Sequence, residues 1–183
     1  MLRQVALMYI SYSAAQDPFH AVFRAFCLLD GNRKSSYELE RLLMYDFFVC
    51  FPWMVSEMEG VKKITGFIKE LNRTGRFYPQ NAYEQIPEKR IMFKRMRPAQ
   101  MAAINSICSF GYLSPSALRD DRVERTDKPV PEKLAENVRQ YVATNDVLFN
   151  FIGNFLDLLP LTGAMGLKAK TGLEEFRYDY IPS

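Results

Sequence analysis

The sequence is short of the residues from which metal and nucleophile chemistry is built. It holds one histidine, His20, in 183 residues. With no second imidazole and no Cys-x-x-Cys spacing, a zinc site lacks its ligands. A serine-histidine-acid triad would have to assemble around His20, and no Gly-x-Ser-x-Gly elbow presents the serine. His20 reads as a surface or capping residue near a helix start. The three cysteines, Cys27, Cys50 and Cys108, are odd in number and lie inside apolar segments. That usage excludes a disulfide scaffold and indicates free thiols in a reducing compartment. Long apolar runs are also missing: none approaches the ~18 residues of a membrane span. The Val5–Ile10 stretch after Arg3 is too short for a signal peptide, and tyrosine interrupts it. The expectation is a cytoplasmic protein. A large excess of one sign of charge is missing, with 24 Lys+Arg against 21 Asp+Glu and a net charge of +3. Nucleic-acid contact would therefore need a local patch. A glycine-rich phosphate loop is absent as well. Gly166-Leu-Lys-Ala-Lys-Thr171 has Ala169 where the motif needs glycine, and its flanks read as helical. Asp120-Asp121 and Glu174-Glu175 are sequence neighbours, which point to different sides of a helix and make no acid/base pair. No cofactor, small-molecule substrate or catalytic constellation is indicated.

What the sequence has in quantity is apolar and aromatic mass, at 48% hydrophobic and 14% aromatic residues. That supports a sizeable core and excludes global disorder. Residues 1–16 read as an N-terminal arm or short strand, and 17–183 as one helical domain with a sub-boundary near 127–131, where Asp127 to Pro131 forms a linker. Asp17 caps a first helix with Pro18 at its opening position. Phe19, Val22, Phe23 and Phe26 form its core stripe, and Gly31-Asn32 ends it.

The central element runs from Arg41 to Trp53. Ser35 with Glu38 reads as a capping box. Leu39, Leu42, Leu43, Phe47 and Cys50 make one helical stripe, and Met44, Phe48 and Phe51 a second; Pro52 ends the helix. Asp46 interrupts the first stripe. A carboxylate there needs a partner, since an unpaired buried charge costs several kcal/mol. Arg24 is the first candidate for a structural ion pair.

Ser56 with Glu59 reads as a second capping box. It opens a helix carrying Val61, Ile64, Phe67, Ile68 and Leu71, closed by Asn72 to Gly75. An aromatic loop with Phe77, Tyr78 and Tyr83 follows. From Glu88 to Arg97 five basic residues face one glutamate. Arg90, Lys94 and Arg97 share a helical face, a candidate for phosphate contact, against the alternative of an ordinary solvated face. Pro98 is expected to start a new helix, which Gly111 stops. Tyr112-Leu113 and Arg122–Thr126 are expected to pair as a small hairpin, giving the outline of a winged helix. From Glu132 to Leu159 the apolar residues follow helical spacing, with a break across Thr144-Asn-Asp146. Trp53, Phe77, Tyr78, Tyr83 and Tyr178 are candidate partner-interface residues, because tryptophan and tyrosine are enriched at interfaces. Lys168 and Lys170 join them as a basic turn that would steer an acidic partner.

Several of these stretches resemble one family. Asp17-Pro-Phe-His-Ala-Val-Phe-Arg24, Leu43-Met-Tyr-Asp-Phe-Phe48 with Phe51-Pro52, Arg95-Met-Arg-Pro-Ala-Gln100, and the Gly166-Leu-Lys and Thr171-Gly-Leu elements before Arg177-Tyr178 are similar to the middle component of bacterial ABC-three-component conflict systems. The resemblance runs from about Asp17 to Asp179. It implies a small helical protein working beside an SMC-like ABC ATPase and an effector subunit, as a non-catalytic adaptor in defence against phage or plasmids. It carries no catalytic residue. The expected fold is mainly α, a helical bundle with a small winged-helix-like β-hairpin. The alternative function is a winged-helix DNA-binding regulator.

Overall fold

A computed structural model describes residues 14–31, 34–80 and 87–173. Among these residues the fold is mainly α, with one small antiparallel sheet. After a short 3-10 turn at Ala14–Gln16 come α1 (Pro18–Gly31), β1 (Ser36–Glu38), α2 (Leu39–Cys50), a 3-10 helix at Pro52–Glu57, and α3 (Phe67–Phe77). There follow α4 (Lys89–Ser109), α5 (Pro115–Arg119), β2 (Arg122–Glu124), α6 (Glu132–Thr144), α7 (Asp146–Asn154), a 3-10 turn at Leu156–Leu158, and α8 (Leu167–Thr171). Among the described residues no helix is long and apolar enough to cross a membrane.

Helix α2 lies in the centre because it is apolar all round. Leu42, Leu43, Met44, Tyr45, Phe47 and Phe48 are all fully enclosed. Helices α1 and α4 pack against it and against each other, and α6 lies on the outer side of α1. Phe47 stacks edge-on against Phe93 of α4 at 6.0 Å between ring centres.

The start of α2 corrects one expectation. Ser35 and Glu38 form no capping box; no side chain caps the helix. Ser36–Glu38 instead pairs as a strand with Arg122–Glu124, with Tyr37 opposite Val123. The Leu39 amide, which a cap would have satisfied, donates to the Asp121 carbonyl at 2.8 Å. Leu113 meets Arg125 as an isolated antiparallel bridge on the other side of β2. The small β element therefore uses the expected segments, but its longer pairing is with residues far upstream.

The first-turn stripe of α1 is also corrected. Asp17 does cap it, its carboxylate accepting from the Phe19 and His20 amides at 2.6 and 3.2 Å. Phe19, however, is 85% exposed. The buried face runs from Ala21 and Ala25, whose small side chains let α1 approach α2 and α4, to Leu28 nearer the helix end.

Ser56 and Glu59 form no capping box either. Ser56 lies inside the 3-10 helix, and its hydroxyl donates to the Trp53 carbonyl at 2.7 Å. Helix α3 starts later, behind Gly66, whose φ of +81° is a left-handed conformation that suits glycine. It continues through Asn72–Gly75 to Phe77, burying Phe67, Leu71 and Thr74 against the 3-10 helix and α7. Ile68 faces outward and Ile64 is half-buried.

Pro98 does not start a helix. It lies inside one, and α4 runs unbroken for 21 residues. A proline there removes the hydrogen bond to the Lys94 carbonyl, at about 3 kcal/mol. The buried stripe of Met92, Phe93, Met96, Ala99, Ala103, Ile104 and Ile107 continues across it against α1 and α2, which offsets that cost. The break near residue 145 is where the spacing placed it, α6 ending at Thr144 and α7 opening at Asp146.

Candidate functional site

Two buried polar knots hold the core together. In the first, Arg24 of α1 meets Asp46 of α2. Its Nε donates to Oδ1 at 2.5 Å and a terminal nitrogen to Oδ2 at 3.1 Å, a two-pronged pair with both side chains buried. The remaining guanidinium donors reach the Ala14 and Ala15 carbonyls at 2.9 and 3.4 Å. Gln100 of α4 completes the knot, donating to Asp46 Oδ2 at 2.8 Å and to the Leu43 carbonyl at 3.1 Å. Burial works against the Arg24 charge, but hydrogen bonding and attraction from Asp46 overcome it and hold its pKa above the ordinary value. Partial burial, joined by the Asp46 charge, pushes the Cys50 thiol up. With α1, α2 and α4 each supplying one member, the knot fixes how the three helices cross.

The second knot is one the sequence reading passed over. Arg41 of α2 donates to Glu38 at 2.8 Å, to the Leu159 carbonyl at 2.9 Å, and to Tyr45 Oη and the Leu156 carbonyl at 3.2 and 3.3 Å. Tyr45 donates in turn to Asp157 at 2.7 Å, and Lys34 reaches the other Asp157 oxygen at 2.9 Å. Burial opposes ionisation of Glu38, yet the Arg41 contact prevails and lowers its pKa. The available signal was the spacing Arg41–Tyr45, one helical turn, together with Asp157 as a lone acid among leucines.

The proposed phosphate face is divided by the fold. Arg97 forms a two-pronged pair with Glu40 of α2. Arg90 donates to the Gly172 carbonyl at 3.1 Å and lies 3.8 Å from Glu88. Lys94 is exposed, as is Arg95 beside it. The arginines of that face thus tie α4 to α2 and to the segment after α8.

The candidate partner residues are scattered. Trp53 is half-buried against Phe51, with ring centres 5.6 Å apart. Phe77 is 56% exposed at the end of α3, and Tyr78 packs edge-on against it at 4.9 Å. Lys170 is held by Glu59 at 2.7 Å, and Lys168 is half-buried in the last turn of α8. Tyr83 and Tyr178 lie outside the described residues. Among the described residues the most exposed large apolar side chains besides Phe77 are Phe19, Phe110 at 66% and Leu158 at 61%, none of them a contact residue expected from the sequence. The Gly166–Thr171 segment is a short helix rather than a phosphate cradle. A Cβ on Gly166 would stand 2.3 Å from the Thr162 carbonyl oxygen, so this glycine serves a close backbone approach.

No curated protein and no solved structure shows a significant match to this chain. A family model does, over residues 10–179, a span that contains every helix and strand described above. That model is the ABC-three component (ABC-3C) system Middle Component 5, and the chain belongs to this family.

Proposed function

We propose that this protein is the non-catalytic adaptor of its ABC-three-component system, coupling an SMC-like ABC ATPase to an effector subunit in cytoplasmic defence against phage or plasmids. The observation that carries the reading is the family match, because it covers the whole described fold. A middle component has protein partners by definition, and the surface has residues suited to them. Phe19, Phe77, Phe110 and Leu158 stand out from the body as large apolar side chains. Such residues serve as anchors when a partner supplies pockets. The buried charged groups favour the same reading. Arg24 is engaged with Asp46, Arg41 with Glu38 and backbone carbonyls, and Asp157 with Tyr45 and Lys34, in roles that hold helices together.

Co-expression with the neighbouring ATPase and effector genes, followed by pull-down from this subunit, tests the proposal. A stable complex burying at least ~1,000 Å² and surviving gel filtration is the expected result. Elution of the chain alone at moderate salt, with tight sequence-specific binding to an operator, would replace the adaptor with a DNA-binding regulator.

A further inference from the structure

We propose that the outer face of α3, with the turn that leads into it, is a contact surface for the phosphate backbone of duplex DNA. Between Gly60 and Phe77 the chain carries five basic residues, Lys62, Lys63, Lys69, Arg73 and Arg76, against one carboxylate, Glu70. All five are exposed. Lys69, Arg73 and Arg76 follow the spacing that puts residues on one face of a helix, a line of cations about 10 Å long. The turn bearing Lys62 and Lys63 folds against the start of this helix, because Gly60 lies close enough to Ile68 that a Cβ there would come within 3.1 Å of it.

Four of the five charges on this face have no carboxylate partner among the described residues. Arg73 is paired with Glu70 of its own helix at 3.1 Å, and its side chain remains 61% exposed. The nearest upstream acids are engaged elsewhere: Glu57 with Lys89 of α4, and Glu59 with Lys170 of α8. On α4, by contrast, Arg90 and Arg97 are tied internally.

Three classes of partner would attract such a face, and its composition separates them. A membrane-surface helix inserts an apolar face. Here Phe67, Leu71 and Thr74 are already buried in the core, and the exposed Ile68 and Phe77, nine positions apart, make no continuous apolar face. Protein interfaces are depleted of lysine at their centre, whereas three of these five cations are lysines. Single-stranded nucleic acid is held by aromatic platforms between the cations. The exposed residues between Lys69 and Arg76 include Asn72 but no aromatic, and Phe77 stands at one end. A rigid row of point charges without stacking residues suits a duplex backbone, which presents roughly six phosphates in ~10 Å of its axis.

The test uses the full-length chain and a fluorescein-labelled random-sequence duplex of about 30 bp, with anisotropy measured across a salt series. Removing three phosphate contacts by Lys69→Gln, Arg73→Gln and Arg76→Gln together is expected to weaken binding at least ~10-fold at moderate salt. It should also make the slope of log K against log[salt] shallower by about two to three. Lys94→Gln with Arg95→Gln on α4 is expected to keep the wild-type slope. Far-UV circular dichroism establishes that the triple variant is folded. Lys62→Gln with Lys63→Gln, outside the helix, gives an independent reading with a slope loss of about two. The proposal is overturned if the wild-type chain does not bind the duplex at low salt, or if neither α3-side variant changes the slope. It is overturned equally if duplex RNA or polyglutamate binds more tightly than DNA. A failed pull-down with the ATPase leaves this result unaffected, because the isolated chain is what is measured.

Discussion

Arg24 and Asp46, 22 positions apart, form a buried two-pronged pair, with Nε and Oδ1 at 2.5 Å, and Gln100 from a third helix shares the same carboxylate. Removing the acid leaves a buried guanidinium with only backbone carbonyls as partners, and leaves Gln100 with only the Leu43 carbonyl as acceptor. Asp46→Ala is therefore expected to destabilise the fold by about 3 kcal/mol. Urea unfolding followed by circular dichroism measures it. A midpoint unchanged within error would show that the three-helix crossing does not depend on this knot.

Arg41 invites a more conservative substitution. Its planar head satisfies the Leu156 and Leu159 carbonyls while also holding Glu38 and Tyr45. A lysine keeps the charge but cannot reach so many acceptors in fixed directions. Arg41→Lys is expected to cost about 2 kcal/mol by leaving a buried carbonyl unpaired. Hydrogen exchange should report the loss first at Leu156–Leu159. Exchange that accelerates evenly over the whole chain would argue against a local clip.

Stability should fall in alkali. Burial, followed by the Asp30 charge, pushes the Cys27 thiol from 9.0 up to about 12, and burial pushes the Tyr141 hydroxyl from 10.0 up to about 12. Each group then loses its proton more readily in the unfolded chain than in the folded one. Their contribution is fully present below pH ~9 and is lost progressively as pH rises towards 12. Denaturation midpoints at about pH 8 and pH 10.5 should therefore differ, with the lower midpoint at the higher pH. A midpoint that holds or rises would place these groups in contact with water. At pH 8, Cys27 and Cys50 should also resist a thiol reagent until the chain unfolds, as the protonated thiol is not the nucleophile.

Where local chemistry decides the conformation, the sequence was legible. Asp17-Pro18 opens a helix because the aspartate accepts the first free amides, and Pro52 stops one because its ring excludes a continuing turn. The apolar spacing located α2, the α6–α7 break and the mainly helical class. Two local rules failed where long-range pairing prevailed. Ser35 and Glu38 had the chemistry of a capping box, but Ser36–Glu38 became a strand, because Arg122–Glu124 offers it a ladder and the Asp121 carbonyl takes over the capping. Pro98 had the chemistry of a helix start but lies within α4, because the buried stripe on either side of it is continuous.

The sequence by itself determined the helical class, the absence of a long apolar span, and that a carboxylate among leucines and phenylalanines must find a cation. Only the tertiary structure decided which cations are engaged and which face outward. Arg97 and Arg90 belong to a visibly basic run, yet Glu40 and the Gly172 carbonyl hold them. Lys69 and Arg76 attract less notice in the sequence and stand free on α3. The reason is geometric. Helical periodicity assigns a residue to a face, but whether that face meets a carboxylate or solvent depends on the element packed against it, which sequence spacing does not record.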